Sequence, residues 1–189
     1  MNGTTPKRVY VSFTAEIVPA TIEALLALAT DLVNKGVQEL YLLLSTPGGS
    51  VMPGIAAYNI LKGLPLKLIV HNVGSVDSIG NVLFLAGRER YCCKRATFMF
   101  HGVGFDVVER SRFEEKHLRE RLDSVMADQK KIGAIIADRT SIGAEEVDQL
   151  FHEAVTRDPD YAKANGIVHD IREVEVPPGA PVHQLVFKR

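Results

Sequence analysis

A serine in the middle of the chain lies where a catalytic nucleophile could act. Residues 66–70 form an apolar run that predicts a buried strand, and residues 81–86 predict a short buried helix, so Ser78 falls in the turn between them. A hydroxyl in such a turn lies at the positive end of a helix, close to free backbone N–H groups. Serine is also a preferred N-cap residue, so the turn alone leaves a structural cap and a nucleophile both open.

Two further segments carry residue types that a nucleophilic serine needs. Gly48 and Gly49 end a buried strand, where paired glycines allow positive φ and leave N–H groups free to face an oxyanion. An ordinary tight turn is the alternative there. His101 follows an apolar strand and precedes a glycine, so its ring can reach a neighbouring loop. A lone histidine of this kind is more often structural than catalytic, so this segment too leaves a structural role open.

Strands and helices alternate along the first hundred residues, and this order predicts an α/β fold with a largely parallel sheet. The strand at residues 39–44 is apolar throughout, which is typical of a strand covered on both faces. The predicted strands are 9–13, 39–44, 66–70, 90–93 and 96–100, and the predicted helices are 19–34, the segment after residue 50 that ends at Gly63, and 81–86.

The second half of the chain is dominated by one long charged segment. Residues 112–139 carry an apolar stripe and no proline, which predicts a helix of more than six turns. Such a helix could lie along its own domain or project and pack on another subunit. Residues 102–108 predict a loop with some strand tendency. Beyond the helix we expect a helix capped by Thr140 or Ser141, a strand at 153–156, a short helix from Asp158 to Gly166, closing strand residues at 167–171 and a surface arm at 176–181.

The composition bounds the class of protein. The chain has 189 residues, 46% hydrophobic and 24% charged, which suits a single domain with a sizeable core. A net charge of −1 gives no reason to expect nucleic acid or an anionic membrane as a partner. Without an apolar run of membrane-spanning length or a signal core, we expect a cytoplasmic protein. Cys92 and Cys93 are adjacent, offer no metal-ligand spacing and predict buried small hydrophobes, so neither metal nor cofactor is expected.

The ordered motifs resemble one family. Thr-Pro-Gly-Gly-Ser-Val, Gly-Ser-Val-Asp-Ser-Ile-Gly and Met-Phe-His-Gly stand in the order and spacing of Ser-Pro-Gly-Gly-Ser-Val, Ala-Ser-Met-Gly and Met-Ile-His-Gln-Pro in the proteolytic subunit of the ATP-dependent Clp protease. The ending Ala-Asn-Gly-Ile-Val-His-Asp is similar to that family's Tyr-Gly-Leu-Val-Asp. The likeness covers residues 9–172 of one domain spanning 1–189, with residues 173–189 as a Pro-containing C-terminal arm. It implies the crotonase-like ββα spiral with a long projecting handle helix.

Carried over residue by residue, the resemblance implies a serine endopeptidase. Ser78 matches the nucleophile, His101 the general base, and the N–H groups of Gly49 and Ile79 the oxyanion hole. The helix at 112–139 matches the handle by which two rings stack and enclose their serines in a chamber. The implied partners are a peptide or unfolded-protein substrate, other copies in a homo-oligomeric ring, and an AAA+ unfoldase or an active Clp paralogue.

The resemblance breaks at the catalytic acid. The position of the family's aspartate holds Ala154, preceded by Glu153, which on a strand would point to the opposite face. Asp77, beside Ser78, is an acid that the family does not usually have there. Glu153, Asp77 and no acid at all remain open as the third group.

The missing acid leaves alternatives to an active peptidase. A weakly active or inactive Clp-like paralogue that serves as a ring scaffold is the first alternative. A crotonase-type acyl-CoA enzyme is the second, although no glutamate stands in an obvious position to act as its base. A Ser/Lys dyad is disfavoured because no lysine follows Ser78 in a comparable corner.

Overall fold

One sheet organises the computed structural model of the chain, which describes residues 6–105 and 112–187. In chain order the described elements are β1 (Arg8–Thr14), α1 (Pro19–Asn34), β2 (Glu39–Thr46), α2 (Val51–Gly63), β3 (Lys67–Asp77), α3 (Gly80–Leu85), β4 (Glu89–Cys92), β5 (Thr97–Met99), α4 (Glu115–Arg139), α5 (Ala144–Glu153), β6 (Thr156–Arg157), α6 (Pro159–Ala164), β7 (Asp170–Ile171) and β8 (Val182–Gln184). The strand order is β6-β5-β3-β2-β1-β8, and β4 pairs with both β3 and β7.

The predicted parallel sheet is confirmed. Every strand pair is parallel except β5 with β6, and the apolar strands β2 and β3 lie in the middle. Most buried residues of β1, β2 and β3 form the main core with the inner faces of the helices. Tyr10, Tyr41 and Ile69, one from each of these strands, form a separate, smaller cluster. Because parallel strands need crossover connections, helices cover this sheet and the central strands are apolar on both faces.

Strand β3 is longer than its apolar run predicts. The small and polar residues that follow residue 70 were expected to turn, yet they stay extended to Asp77. Asn72 holds them there: its amide donates to the Thr97 carbonyl at 2.8 Å, and its oxygen accepts from the Gly74 N–H at 3.0 Å. The extension brings Asp77 opposite Met99 on β5. It therefore delivers the Ser78 turn beside the strand that leads to His101.

The structure corrects two predictions around α5. This helix begins at Ala144 after Gly143, and neither Thr140 nor Ser141 caps it. The Thr140 hydroxyl instead donates to the Ile136 carbonyl and accepts from the Ile142 N–H, so it closes the end of α4. Glu153 is the last helical residue rather than a strand residue, and Ala154 follows it in a left-handed conformation. The expected cap of the next helix is confirmed, since Asp158 accepts from the Tyr161 N–H at 2.8 Å.

The long helix forms at Glu115 rather than at residue 112, and its two halves differ in environment. Ile132 and Ile136, in the second half, are buried against the core. The apolar side chains of the first half are exposed: Leu118 to 51%, Leu122 to 56% and Met126 to 59%. This first half therefore has an apolar stripe that packs on nothing in the described chain. The loop predicted before the helix lies outside the described residues from 106 to 108.

The C-terminal arm contains a strand that its prolines did not predict. Residues Val182–Gln184 form β8, which pairs in parallel with the outer edge of β1. The Pro181 carbonyl accepts from the Tyr10 N–H at 3.0 Å. A proline lacks an N–H but keeps its carbonyl, so the arm can still cover the edge of the sheet.

The adjacent cysteines face different environments. Cys92 is fully buried in the core, and burial raises the pKa of its thiol to about 12, which fits the expected small hydrophobe. Cys93 is half-buried, and its sulfur lies 3.6 Å from His71 Nε2. Burial also raises the pKa of Cys93, so neither thiol has the stabilised thiolate of a reactive cysteine.

His71 makes stability depend on pH. Its ring is fully buried, accepts from the Tyr41 hydroxyl at 2.8 Å and donates to the Arg172 carbonyl at 2.9 Å. Burial lowers the pKa of His71 below its ordinary 6.5. As the pH falls through 6.5, the unfolded chain therefore binds a proton at His71 before the folded chain does. Folding stability should fall on acidification, by at most about 1.4 kcal/mol per pH unit for one group.

Urea denaturation of wild type and His71→Gln between pH 7.5 and 5.5 tests this dependence. The variant should lose less stability on acidification than wild type. Some slope should remain because burial also lowers the pKa of His169. The matched control is His183→Gln, since His183 lies exposed on β8. Equal slopes for wild type and His71→Gln would contradict the assignment.

Candidate active site

Ser78 occupies a strained turn between β3 and α3. Its φ of 57° lies in the left-handed region, which costs a non-glycine residue about 1–2 kcal/mol. The turn is fixed because the Ser78 N–H donates to the Met99 carbonyl at 2.9 Å. Helix α3 begins at Gly80, and no side chain caps it. Ser78 is thus not an N-cap, and its side chain faces a cavity instead.

The backbone at Gly48 and Gly49 passes so close to neighbouring residues that neither position has room for a side chain. At Gly48, with φ of 89°, a Cβ would lie 2.7 Å from both the Asp77 carbonyl oxygen and Ser78 Cβ. At Gly49, with φ of 141°, a Cβ would overlap the carbonyl oxygen of Ile17. The segment is held in place because the Ile17 N–H donates to the Gly48 carbonyl at 2.7 Å. Only glycine lets the backbone pass this close to the serine.

Two backbone N–H groups near Ser78 have no acceptor within residues 6–105 and 112–187. Gly49 and Ile79 both line the cavity that contains Ser78. Within the described part of the chain, neither N–H donates a hydrogen bond. Two unpaired backbone donors that line the same cavity as a serine are the kind of groups that stabilise the oxyanion of a tetrahedral intermediate.

His101 lies just beyond β5 with a defined tautomer. Its Nδ1 lies 2.7 Å from the Gly102 carbonyl oxygen. A carbonyl can only accept, so Nδ1 carries a proton, and in the neutral tautomer the lone pair is therefore on Nε2. A neutral imidazole with a free Nε2 is the form that a general base must have.

One cavity of about 210 Å³ brings the two side chains together. It is lined by Ser78, His101, Gly49 and Ile79, and its apolar wall includes Ile132, Ile136, Phe100, Phe151 and Val51. Within the described residues the Ser78 hydroxyl and the His101 ring form no direct hydrogen bond, and such catalytic bonds often tighten only when substrate binds. A serine, a histidine and two backbone N–H donors, the groups needed for acyl transfer, thus line one cavity.

None of the three candidate positions supplies a carboxylate to His101. Ala154 is exposed in its left-handed turn, and Glu153 is held on the surface by Arg157 at 2.9 Å and Gln149 at 2.6 Å. Asp77 is half-buried, and burial raises the pKa of its carboxyl, while the Ser75 hydroxyl and the charge of His101 act to lower it. Asp77 is therefore near enough to sense His101 but forms no ion pair with it among the described contacts.

Asn81 is a positioning residue that the sequence did not reveal. It is buried, and its side-chain amide donates to the Ser78 carbonyl at 3.1 Å and to the Met99 carbonyl at 2.8 Å. It thereby joins the serine turn to the end of the strand that leads to His101. The only signal was a polar residue at the start of an otherwise apolar helix, which is not specific.

The described residues contain neither a metal-binding cluster nor a membrane-spanning helix. Residues 6–105 and 112–187 contain no group of three or more His, Cys, Asp or Glu side chains placed to hold a metal ion. No helix in these ranges is long and apolar enough to span a membrane.

Comparison with solved structures defines the class of fold. The chain matches a point mutant of ClpP1 from Listeria monocytogenes with a TM-score of 0.76 and 19% identity, over 87% of this chain and 91% of that one. It matches the ClpP protease catalytic domain from Plasmodium falciparum with a TM-score of 0.74 and 18% identity, over 90% of this chain and 88% of that one. The fold is therefore the crotonase-like fold of ClpP.

The amino-acid sequence identifies the family as well as the fold. Residues 8–175 match the Clp protease family, which is most of the chain. The chain belongs to the Clp protease family. The resemblance carried by the glycine pair, the serine turn and the histidine is thus confirmed, and the family supports a ClpP-type serine peptidase.

Proposed function

We propose that this protein is a serine endopeptidase that hydrolyses peptide bonds inside a self-assembled chamber. Ser78 is the nucleophile, and His101 is the general base. The observation that carries the proposal is the convergence of both side chains on one cavity with the free N–H groups of Gly49 and Ile79.

The chemistry follows from these positions. His101 Nε2 accepts the proton of the Ser78 hydroxyl as its oxygen attacks the peptide carbonyl, and the proton then passes to the leaving amine. The carbonyl oxygen becomes an oxyanion that the N–H groups of Gly49 and Ile79 stabilise, each by about 3–4 kcal/mol. A water molecule, activated by the same imidazole, then hydrolyses the acyl-enzyme.

Assembly into rings is part of the proposal. The exposed side chains of Leu118, Leu122 and Met126 give α4 an apolar face that a second ring could cover, as the handle of the family implies. The peptide or unfolded-protein substrate would be enclosed, and an AAA+ unfoldase or an active Clp paralogue would deliver or share it. The ATP dependence that an unfoldase would confer and the cytoplasmic location both stay predictions.

Labelling with a fluorophosphonate probe tests the proposal. The probe phosphonylates a serine only when a base activates it, so wild type should take up one adduct per chain on Ser78. Ser78→Ala should take up none, while Ser141→Ala, at an exposed serine outside the cavity, should label like wild type. Intact-mass and peptide mass spectrometry read the result, and an unlabelled wild type would contradict the proposal.

A ring scaffold of little or no activity is the second candidate. It is favoured because, among the described residues, no carboxylate forms a hydrogen bond or ion pair with His101. The scaffold would stay unlabelled yet assemble with an active paralogue, which separates it from the peptidase. An acyl-CoA enzyme or a Ser/Lys dyad has less support, because the cavity is lined by no described glutamate or lysine.

A further inference from the structure

The carbonyl that orients His101 belongs to a peptide unit that is held from its other side. The His101 Nδ1–H donates to the Gly102 carbonyl at 2.7 Å. The N–H of the same peptide unit is that of Val103, and it donates to Gln129 Oε1 at 3.1 Å. Gln129 comes from α4, twenty-six residues further along the chain.

This peptide unit is rigid, so one hydrogen bond determines the direction of the other. A peptide group is planar, and in its trans form the C=O and N–H point in opposite directions. When Gln129 fixes the direction of the Val103 N–H, it therefore fixes the direction in which the Gly102 carbonyl faces His101. Donation by the N–H also polarises the carbonyl, which strengthens it as an acceptor.

Two further contacts at Gly102 hold it close to Gln129 and to helix α5. The Gly102 N–H donates to the Phe151 carbonyl at 3.0 Å, which anchors the preceding peptide unit on α5. A Cβ at position 102 would lie 2.9 Å from Gln129 Oε1, so glycine lets the amide come close. Gln129 itself is half-buried, and its neighbour Lys130 is exposed.

We propose that Gln129 is a positioning residue for the general base, acting through the Gly102–Val103 peptide unit in the role that a carboxylate has in a catalytic triad. The inference rests on the proposed function. A carbonyl can hold the tautomer and orientation of the ring as a carboxylate does, but it carries no charge to stabilise the imidazolium. His101 would thus keep the orientation of a general base, although Ala154 stands where the family has its catalytic aspartate.

Substitutions of Gln129 test this role. Gln129→Met keeps the length of the side chain but has no oxygen to accept the Val103 N–H, and Gln129→Asn keeps an amide that is one methylene too short. Both should lower kcat for a short peptide and the rate of fluorophosphonate labelling roughly tenfold, the size expected for one hydrogen bond, with KM nearly unchanged. Gln129→Glu retains the accepting oxygen and should recover most of the rate.

The control and the contradicting results separate this inference from the proposed function. Lys130→Met, on the exposed side of the same turn, should behave like wild type. A wild type that labels at Ser78 while Gln129→Met and Gln129→Asn label as fast, or while Gln129→Glu falls as far as Gln129→Met, would overturn the role of Gln129 alone. A wild type that does not label at all would overturn both.

A crystal structure of Gln129→Met gives a readout independent of activity. The Gly102 carbonyl should turn away from His101, and the ring should lose its single orientation, while the bond from the Gly102 N–H to Phe151 persists. An unchanged His101–Gly102 contact in that structure would overturn the inference.

Discussion

Ser78→Ala is expected to lower the rate of peptide hydrolysis on the order of 10²-fold or more while leaving the fold intact. Loss of the nucleophile costs a complete triad hydrolase on the order of 10⁶-fold in kcat. Loss of the orienting acid costs such an enzyme on the order of 10⁴-fold, and Ala154 stands at the position of the family's aspartate. Dividing the first factor by the second leaves on the order of 10²-fold for the loss of the Ser78 hydroxyl.

Single-turnover assays on a fluorogenic peptide measure this change. Ser141→Ala is the matched control because it removes an exposed hydroxyl outside the cavity. Thermal unfolding should show that Ser78→Ala is at least as stable as wild type, since alanine removes no hydrogen bond made by the Ser78 backbone. Hydrolysis by Ser78→Ala at the wild-type rate would remove this residue as the nucleophile.

Arg90→Met is expected to destabilise the protein by about 3–5 kcal/mol. Arg90 is 4% exposed, and its guanidinium donates to four carbonyls: those of Ile167, Gly87, Arg139 and Gly166. Burial, together with the nearby charge of Arg139, lowers the pKa of Arg90 to about 10. Methionine fills a similar volume but leaves these buried acceptors without their donor, and each unsatisfied group is costly.

Thermal unfolding gives the size of this effect. For a chain of this length, about 3–5 kcal/mol corresponds to a fall in Tm of roughly 6–20 °C. Arg119→Met is the control, because Arg119 is exposed and pairs with Glu115 on the surface of α4. A Tm for Arg90→Met equal to that of Arg119→Met would contradict the claim that Arg90 ties the end of α4 to the segment before β7.

The chain order of motifs was sufficient to predict the parts of the site. Gly49, Ser78 and His101 each follow an apolar strand, and the ends of neighbouring parallel strands meet at one edge of a sheet. The alternation of strands and helices predicted the parallel α/β sheet, and the family resemblance that these motifs carry implied the crotonase-like fold and the common site. The same reasoning placed α1, α2 and α4 within a few residues of their observed bounds, because period and capping signals are local.

What the sequence could not predict depends on contacts between distant residues. The left-handed conformation of Ser78 depends on its bond to Met99, and the extension of β3 depends on the bond from Asn72 to Thr97. Thr140 looked like the cap of α5, but its hydroxyl is already used to close α4. The link from Gln129 to His101 has no local signal at all, since an isolated glutamine on a charged helix is ordinary surface.

A crystal structure of the phosphonylated protein tests the central claim most directly. The phosphorus should be bonded to Ser78 Oγ, with the phosphonyl oxygen about 2.7–3.1 Å from the N–H groups of Gly49 and Ile79 and with His101 Nε2 directed at the adduct. An adduct on another residue, or a phosphonyl oxygen that faces away from both N–H groups, would contradict the account.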